Sequence, residues 1–179
     1  MRDNQYIKNM VLTALFIAAG LVLPSFFHFV GAGSTFLPMH LPVLVCGLVC
    51  GWQWGFLAGA ILPLLSSLLT GMPELYPLAF AMMFELAAYG FLSGWLLPRC
   101  AARRGRLYLA LIAAMLGGRL VSGLAKLVLF GLVGLPFGWR IFISGAFVTA
   151  LPGILLQLAL VPPLTVAINR LLAYKDAPA

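Results

Sequence analysis

The chain has 179 residues, 63% of them hydrophobic and only 8% charged, with a mean hydropathy of +1.09. A soluble domain of this size needs far more charge to cover its surface, so that class is excluded. The net charge of +7 does not point to nucleic acid, because most basic residues sit at segment ends, where lipid headgroups and the positive-inside rule account for them. Apolar runs recur along the whole length, and no stretch is polar enough to form a separate soluble domain. Residues 1–179 therefore read as a single integral membrane domain. A span needs about 20 apolar residues to cross about 30 Å of hydrocarbon, which allows roughly six spans with short loops. The expected fold is all-α, a polytopic membrane bundle of six transmembrane helices, and the twelve prolines and nineteen glycines suit the kinks and close contacts of such bundles.

In chain order, the first apolar run extends from about Met10 to Val30, after Arg2 and Lys8. It is longer than a usual signal core and lacks a clear A-x-A site, so it reads as a retained span. Pro24 is expected to end the helix, and Gly31-Ala32-Gly33-Ser34 reads as loop. Phe36 to Thr70 would make a helix of about 52 Å, too long for one crossing. Gly51-Trp52-Gln53-Trp54-Gly55 near its centre offers a turn with interfacial tryptophans, so two shorter helices are expected. Gly47, Gly51, Gly55 and Gly59, each four apart, leave open the alternative of one continuous close-packed face. Thr70-Gly71-Met72-Pro73-Glu74 reads as a turn. A fourth span covers about Tyr76 to Leu97, a basic loop Pro98 to Arg106, a fifth span about Leu107 to Val133 and a loop Leu135 to Arg140. The sixth span ends near Leu172.

Six spans place both termini on one side with the basic loop. That side carries Arg2, Lys8, Arg99, Arg103, Arg104, Arg106, Arg170 and Lys175; the other carries Arg140. Both termini are therefore expected in the cytoplasm. Cys46 and Cys50, four apart in an apolar run, read as small packing residues; with Cys100 they make neither a C-x-x-C pair nor a metal site.

Three charges fall inside spans: Glu85, Arg119 and Lys126. Such charges are costly, face the bundle interior and are functional candidates by default. Arg119 and Lys126 are seven apart and share a helix face, about 10 Å apart along the axis, with Ser122 and Gly123 between them. Glu85 shares its face with Met82 and Tyr89. With the fourth helix entering from outside and the fifth returning, Glu85 lies about 13 Å below the outer end, Lys126 about 10 Å and Arg119 about 21 Å. One carboxylate between two cations leaves a positive surplus that a carboxylate ligand could take up, with Arg119 making a bidentate contact. The competing interpretation is that Glu85 and Arg119 only brace two helices, with Lys126 snorkelling outward. His28 and His40 fall near the outer side, where a lone histidine is more often a loop hydrogen-bonder than a ligand or metal site. The substrate-binding candidates are Glu85, Tyr89, Arg119, Ser122, Lys126 and His40.

Several motifs carry a family resemblance. Ala14-Leu15-Phe16-Ile17-Ala18 forms an A-x-x-x-A; F-L-P-M-H-L-P-V runs from Phe36 to Val43, followed by the glycine-spaced segment. P-L-L-S-S-L-L-T-G-M-P runs from Pro63 to Pro73, and E-L-A-A-Y-G from Glu85 to Gly90. In this order they resemble the substrate-binding S components of energy-coupling factor (ECF) transporters, in particular a vitamin-related subgroup. One departure is Gly51-Trp52-Gln53-Trp54-Gly55, where many members have a Gly-Pro turn. The resemblance implies six helices with an outward pocket lined by helices four to six and outer loops. Helices one to three would then face a transmembrane coupling protein, with Ala14 and Ala18 as the contact. It further implies two ABC-type ATPases as separate chains, a toppling motion of the loaded subunit, and a vitamin-like cargo. The charged set favours a carboxylate-bearing molecule, niacin-like or pantothenate-like.

Two other classes compete: a membrane-embedded lipid-modifying enzyme, and a stand-alone channel or scaffold. Acyl- or phosphotransfer at the bilayer surface needs clustered His or Asp. The only acids here are Asp3, Glu74, Glu85 and Asp176. That poverty argues against an enzyme, and no G-x-x-x-x-G-K-[ST] loop is present for ATP. No cofactor and no metal are expected, and the expected partners are the coupling protein, the ATPases, the small-molecule cargo and membrane lipid, with no nucleic acid.

Overall fold

A computed structural model describes residues 2–29, 38–100, 105–132, 134, 138 and 150–175. These form six helices: α1 (Arg2–Phe29), α2 (His40–Cys50), α3 (Trp52–Thr70), α4 (Phe80–Leu96), α5 (Arg106–Leu132) and α6 (Leu151–Lys175), with a π-helical turn Leu75–Ala79 leading into α4. Among the described residues, five segments are long and apolar enough to cross a membrane; α2, at 11 residues, is shorter. The helical membrane bundle is as expected; of its six expected spans, five have this length among the described residues, and residues 30–37, just before α2, lie outside them. At 1.5 Å per residue α2 covers about 16 Å, roughly half the hydrocarbon. Its start lies buried inside the protein, where chain ends at membrane depth are tolerated.

Two further boundaries differ from the sequence reading. Pro24 lies inside α1 and does not end it. A proline deletes one hydrogen bond and kinks a helix, which transmembrane helices tolerate. At its other end α1 begins well before the apolar run. Gln5 donates a 3.4 Å hydrogen bond to Asn9 one turn on, and Tyr6 packs against Trp54 with ring centroids 5.1 Å apart. The loops Gly31–Ser34 and most of Leu135–Arg140, and the arginines Arg103, Arg104 and Arg140, lie outside the described residues.

The break between α2 and α3 falls on one residue, Gly51, whose φ of 95° lies in the region that favours glycine. The two helices fold back on each other, so the four-spaced glycines do not form one straight face. A Cβ at Gly55 would lie 2.6 Å from the Cα of Gly47 and 2.5 Å from the carbonyl oxygen of Gly90. Gly59 meets the backbone of Leu86, and Gly94 meets that of Trp52 and Gly51. Small residues thus let α2, α3 and α4 approach backbone to backbone, the usual device where lipid removes any hydrophobic drive between helices. α1 rests on α2 and α3, α5 on α4, and α6 on α2 and α5.

Contacts along the helices set their directions. Trp52, which begins α3, stacks edge-on with Phe91 of α4, and Phe91 with Trp95. Leu107 and Tyr108, which begin α5, share a groove of about 500 Å³ with Arg170 near the end of α6. The start of α1, the α2–α3 junction, the end of α4, the start of α5 and the end of α6 therefore gather at one end of the bundle. That end carries Trp52, Trp54 and Trp95, with the Arg99 guanidinium 3.9 Å over the Trp95 ring, an interfacial composition. α2, α4 and α6 run toward it, and α3 and α5 run away.

Cys46 and Cys50 are buried and reduced, with the Cys46 Sγ 3.7 Å from Thr13 Oγ1. They pack with Ala58, Leu12 and Ile17, as expected of small apolar residues.

Candidate functional site

One turn from the apolar centre toward the other end of the bundle, α2, α4 and α5 bring polar side chains to one carboxylate. Glu85 is buried, and all five other substrate-binding candidates surround it. Ser122 Oγ donates a 2.6 Å hydrogen bond to Oε2, and Tyr89 Oη a 3.4 Å bond to Oε1. Arg119 Nη1 lies 3.8 Å and His40 Nε2 3.5 Å from Oε1, and Lys126 Nζ lies 3.9 Å from Oε2. The His40 ring meets the Tyr89 ring edge-on at 5.2 Å.

Helix geometry explains the convergence. Glu85 and Tyr89 are one turn apart on α4; Arg119, Ser122 and Lys126 occupy one face of α5 at spacings of three and four. Lys126 is two turns from Arg119 but reaches the same carboxylate, because helical side chains lean toward the N-terminus of their helix. Snorkelling outward is therefore not what Lys126 does; its Nζ turns inward, while 28% of the side chain stays exposed. His40 reaches Glu85 as the first residue of α2, so the second helix joins the fourth and fifth in building the site. The other histidine, His28, has no described side chain.

The distances separate a firm bond from loose ones. The Ser122 contact is a short charge-assisted hydrogen bond, whereas the Arg119, His40 and Lys126 contacts exceed the 2.7–2.9 Å, or about that, of a tight N–H to carboxylate pair. His40 Nδ1 and Nε2 and Arg119 Nε and Nη2 are buried with no hydrogen-bond partner among the described residues. Arg119 thus turns one nitrogen toward Glu85 and leaves its Nε–Nη2 edge unused. That edge is a planar two-donor fork matched to a carboxylate or phosphate. With Glu85 ionised, two cations face one anion; Lys126 is partly exposed, but Arg119 is held away from water, where its charge is costly unless neutralised.

The sequence reading missed Gln157 of α6. It is buried, and neither amide atom has a hydrogen-bond partner among the described residues. A lone amide within an apolar run was the available signal. Ala14 and Ala18 stand on the exposed side of α1 with Val11, Leu15 and Val22, away from the cluster. Among the described residues, no group of His, Cys, Asp and Glu could hold a metal ion.

The family model described as "ECF transporter, substrate-specific component" matches residues 8–165. No curated protein and no solved structure matches the chain. The match covers most of the sequence, and the chain belongs to this family: it is a transporter subunit of the membrane, not an enzyme. Substrate-specific components of this family work with a coupling protein and ATPases.

Proposed function

We propose that this ECF substrate-specific component captures a small carboxylate-bearing molecule, niacin-like or pantothenate-like, at the Glu85 cluster. The observation that carries the reading is the buried, unused Nε–Nη2 fork of Arg119. Arg119 is the anion anchor. Glu85 orients it by holding Nη1, Ser122 fixes Glu85, and His40, Tyr89 and Lys126 line the same site. The ligand carboxylate neutralises the surplus cation, which makes the loaded site electrically balanced in the membrane interior. A brace between two helices would use the fork on Glu85 itself, and it does not.

The cluster lies toward the end of the bundle opposite the tryptophans and terminal helix ends, which supports entry from outside with both termini in the cytoplasm. A cysteine placed at Lys175 should label only after the cells are opened; labelling from outside intact cells would reverse the orientation. Delivery inward would use the coupling protein and two ATPases, with the exposed Ala14–Ala18 face of α1 as the docking contact.

Equilibrium binding to the purified protein tests the site. Nicotinate or pantothenate should bind, and the corresponding amide, which lacks the negative charge, should bind far more weakly. An amide that binds as tightly as its acid would sink the carboxylate reading.

A further inference from the structure

The buried core shows a layering that the ionisable residues alone do not reveal. Leu44, Tyr89, Met115 and Val161, from α2, α4, α5 and α6, belong to one apolar cluster. Four residues from each, in the direction away from the tryptophan-bearing end, stands a buried polar residue: His40, Glu85, Arg119 and Gln157. On α2, α4 and α6 the offset is four residues earlier, and on α5, which runs the opposite way, four residues later. Each step is one helical turn, about 6 Å, on the same face. Each of the four helices therefore carries one buried polar residue a turn beyond the same edge of this cluster.

Three of these four residues already meet at Glu85. Gln157 is the fourth, only 1% exposed, with both its Nε2 and its Oε1 unpartnered among the described residues. A buried amide without partners is costly, and a donor beside an acceptor is satisfied by a group that presents the complementary acceptor and donor. We propose that Gln157 is a specificity-determining residue of the site, which reads an amide-type group (carboxamide, lactam or ureide) on the same ligand whose carboxylate Arg119 holds. This rests on the reading of the Glu85 cluster as a ligand site. It narrows the cargo to carboxylates that also carry an amide, and it disfavours acids whose second polar group is an acceptor only, such as a pyridine nitrogen.

The test uses the purified full-length protein and paired probes. One of each pair is an N-acyl amino acid, with pantothenate included; its match replaces the amide by hydrocarbon of the same length. Wild-type protein should prefer the amide-bearing member, because a site that hydrogen-bonds a polar group discriminates against the analogue lacking it. Gln157→Leu, similar in volume, should reduce the affinity for the amide-bearing probe on the order of 10–100-fold and leave the hydrocarbon match nearly unchanged. Its thermal unfolding midpoint should hold or rise, since an unpartnered buried amide is removed. Should Gln157→Leu not fold, Gln157→Met offers the same loss of polarity in a more adaptable chain. No preference for the amide on wild-type protein, or an equal loss for both probes in the variant, overturns the proposal. Arg119→Ala separates the two readings. If amide preference persists and vanishes in Gln157→Leu while Arg119→Ala changes nothing, the anion anchor falls and the Gln157 assignment stands.

Discussion

The helices α2, α3 and α4 are held to one another differently from the way α5 packs on α4. In the first group glycines bring backbones into contact: a side chain at Gly47, Gly55, Gly59, Gly90 or Gly94 would strike main-chain atoms of a neighbouring helix. On α5 the corresponding glycines meet side chains, Leu92 for Gly117 and Tyr89 for Gly118, and Gly131 meets nothing within 4 Å. Backbone contacts cannot yield, whereas side chains can change rotamer. The carboxylate and His40 therefore stand on a block fixed by backbone contacts, and the two cations stand on α5, whose contacts are with side chains that can yield.

The strongest way to sharpen the comparison is to separate capture from delivery. Ala14 and Ala18 lie on the outer surface of α1, which packs on the fixed block, and they touch none of the site residues. Ala14→Leu combined with Ala18→Leu should abolish uptake in cells, because bulk prevents a close helix approach. The affinity of the purified subunit for its ligand should not change. Normal uptake by the double variant would remove this face as the docking contact.

Next in size is the anchor on α5. Arg119→Ala should weaken a carboxylate ligand by about 2–5 kcal/mol, the range for truncating one partner of a buried charged pair. Arg119→Lys should recover only part of that, since an ammonium has no planar fork. A folded Arg119→Ala protein with unchanged affinity would end the anchor assignment. Glu85→Gln separates orientation from bracing in the same assay. Affinity should fall more than the unfolding midpoint does, whereas a parallel loss of both would mark Glu85 as a brace.

A glycine pair probes the fixed block directly. Gly90→Ala places a methyl group against the Gly55 carbonyl, and overpacking of this kind costs about 1–3 kcal/mol. Gly131→Ala adds the same methyl group in open space on α5, where the higher helix propensity of alanine is worth about 0.5–1 kcal/mol in its favour. Thermal unfolding in detergent should thus move in opposite directions for the two variants. Equal shifts would erase the distinction between the halves.

Much of the architecture was legible in the sequence because membrane spans are written in run length. The long apolar runs, the break near Gly51 and the turn after Thr70 all follow from hydropathy and glycine placement. The turn itself is capped by Gly71 at a φ of 72°, with Ser66 Oγ donating a 2.8 Å bond to the Met72 carbonyl. Three features were not legible. Pro24 continues a helix because a membrane environment tolerates what usually ends one, and local rules cannot weigh that. The first residue of the 11-residue α2 meets Glu85, a tertiary contact that hydropathy does not encode. The glycines of α3 and α4 read as spacing along single helices, but their partners are on other helices. At the site, charge made Glu85, Arg119 and Lys126 visible, and helical spacing added Tyr89 and Ser122. Gln157 carries no charge, so only its burial without a partner, a turn beyond the same apolar cluster as His40, Glu85 and Arg119, brings it out.

The smallest expected effect belongs to Lys126, and it distinguishes two kinds of cation on one helix face. Arg119 is buried with its fork enclosed, while 28% of the Lys126 side chain is exposed and its Nζ stands 3.9 Å from Glu85. Water and salt screen an exposed charge, so its attraction to an incoming anion is weak and depends on ionic strength. Lys126→Ala should cost no more than about 1 kcal/mol in affinity at physiological salt. Most of that loss should appear as slower association, because a partly exposed charge steers an anion toward the site more than it holds one there. Raising the salt concentration should shrink the difference between Lys126→Ala and wild type and leave the deficit of Arg119→Ala nearly intact. Stopped-flow binding at two ionic strengths measures both. A loss in Lys126→Ala as large as that in Arg119→Ala, and equally insensitive to salt, would make the two cations a single buried clamp and cancel the division of roles between them.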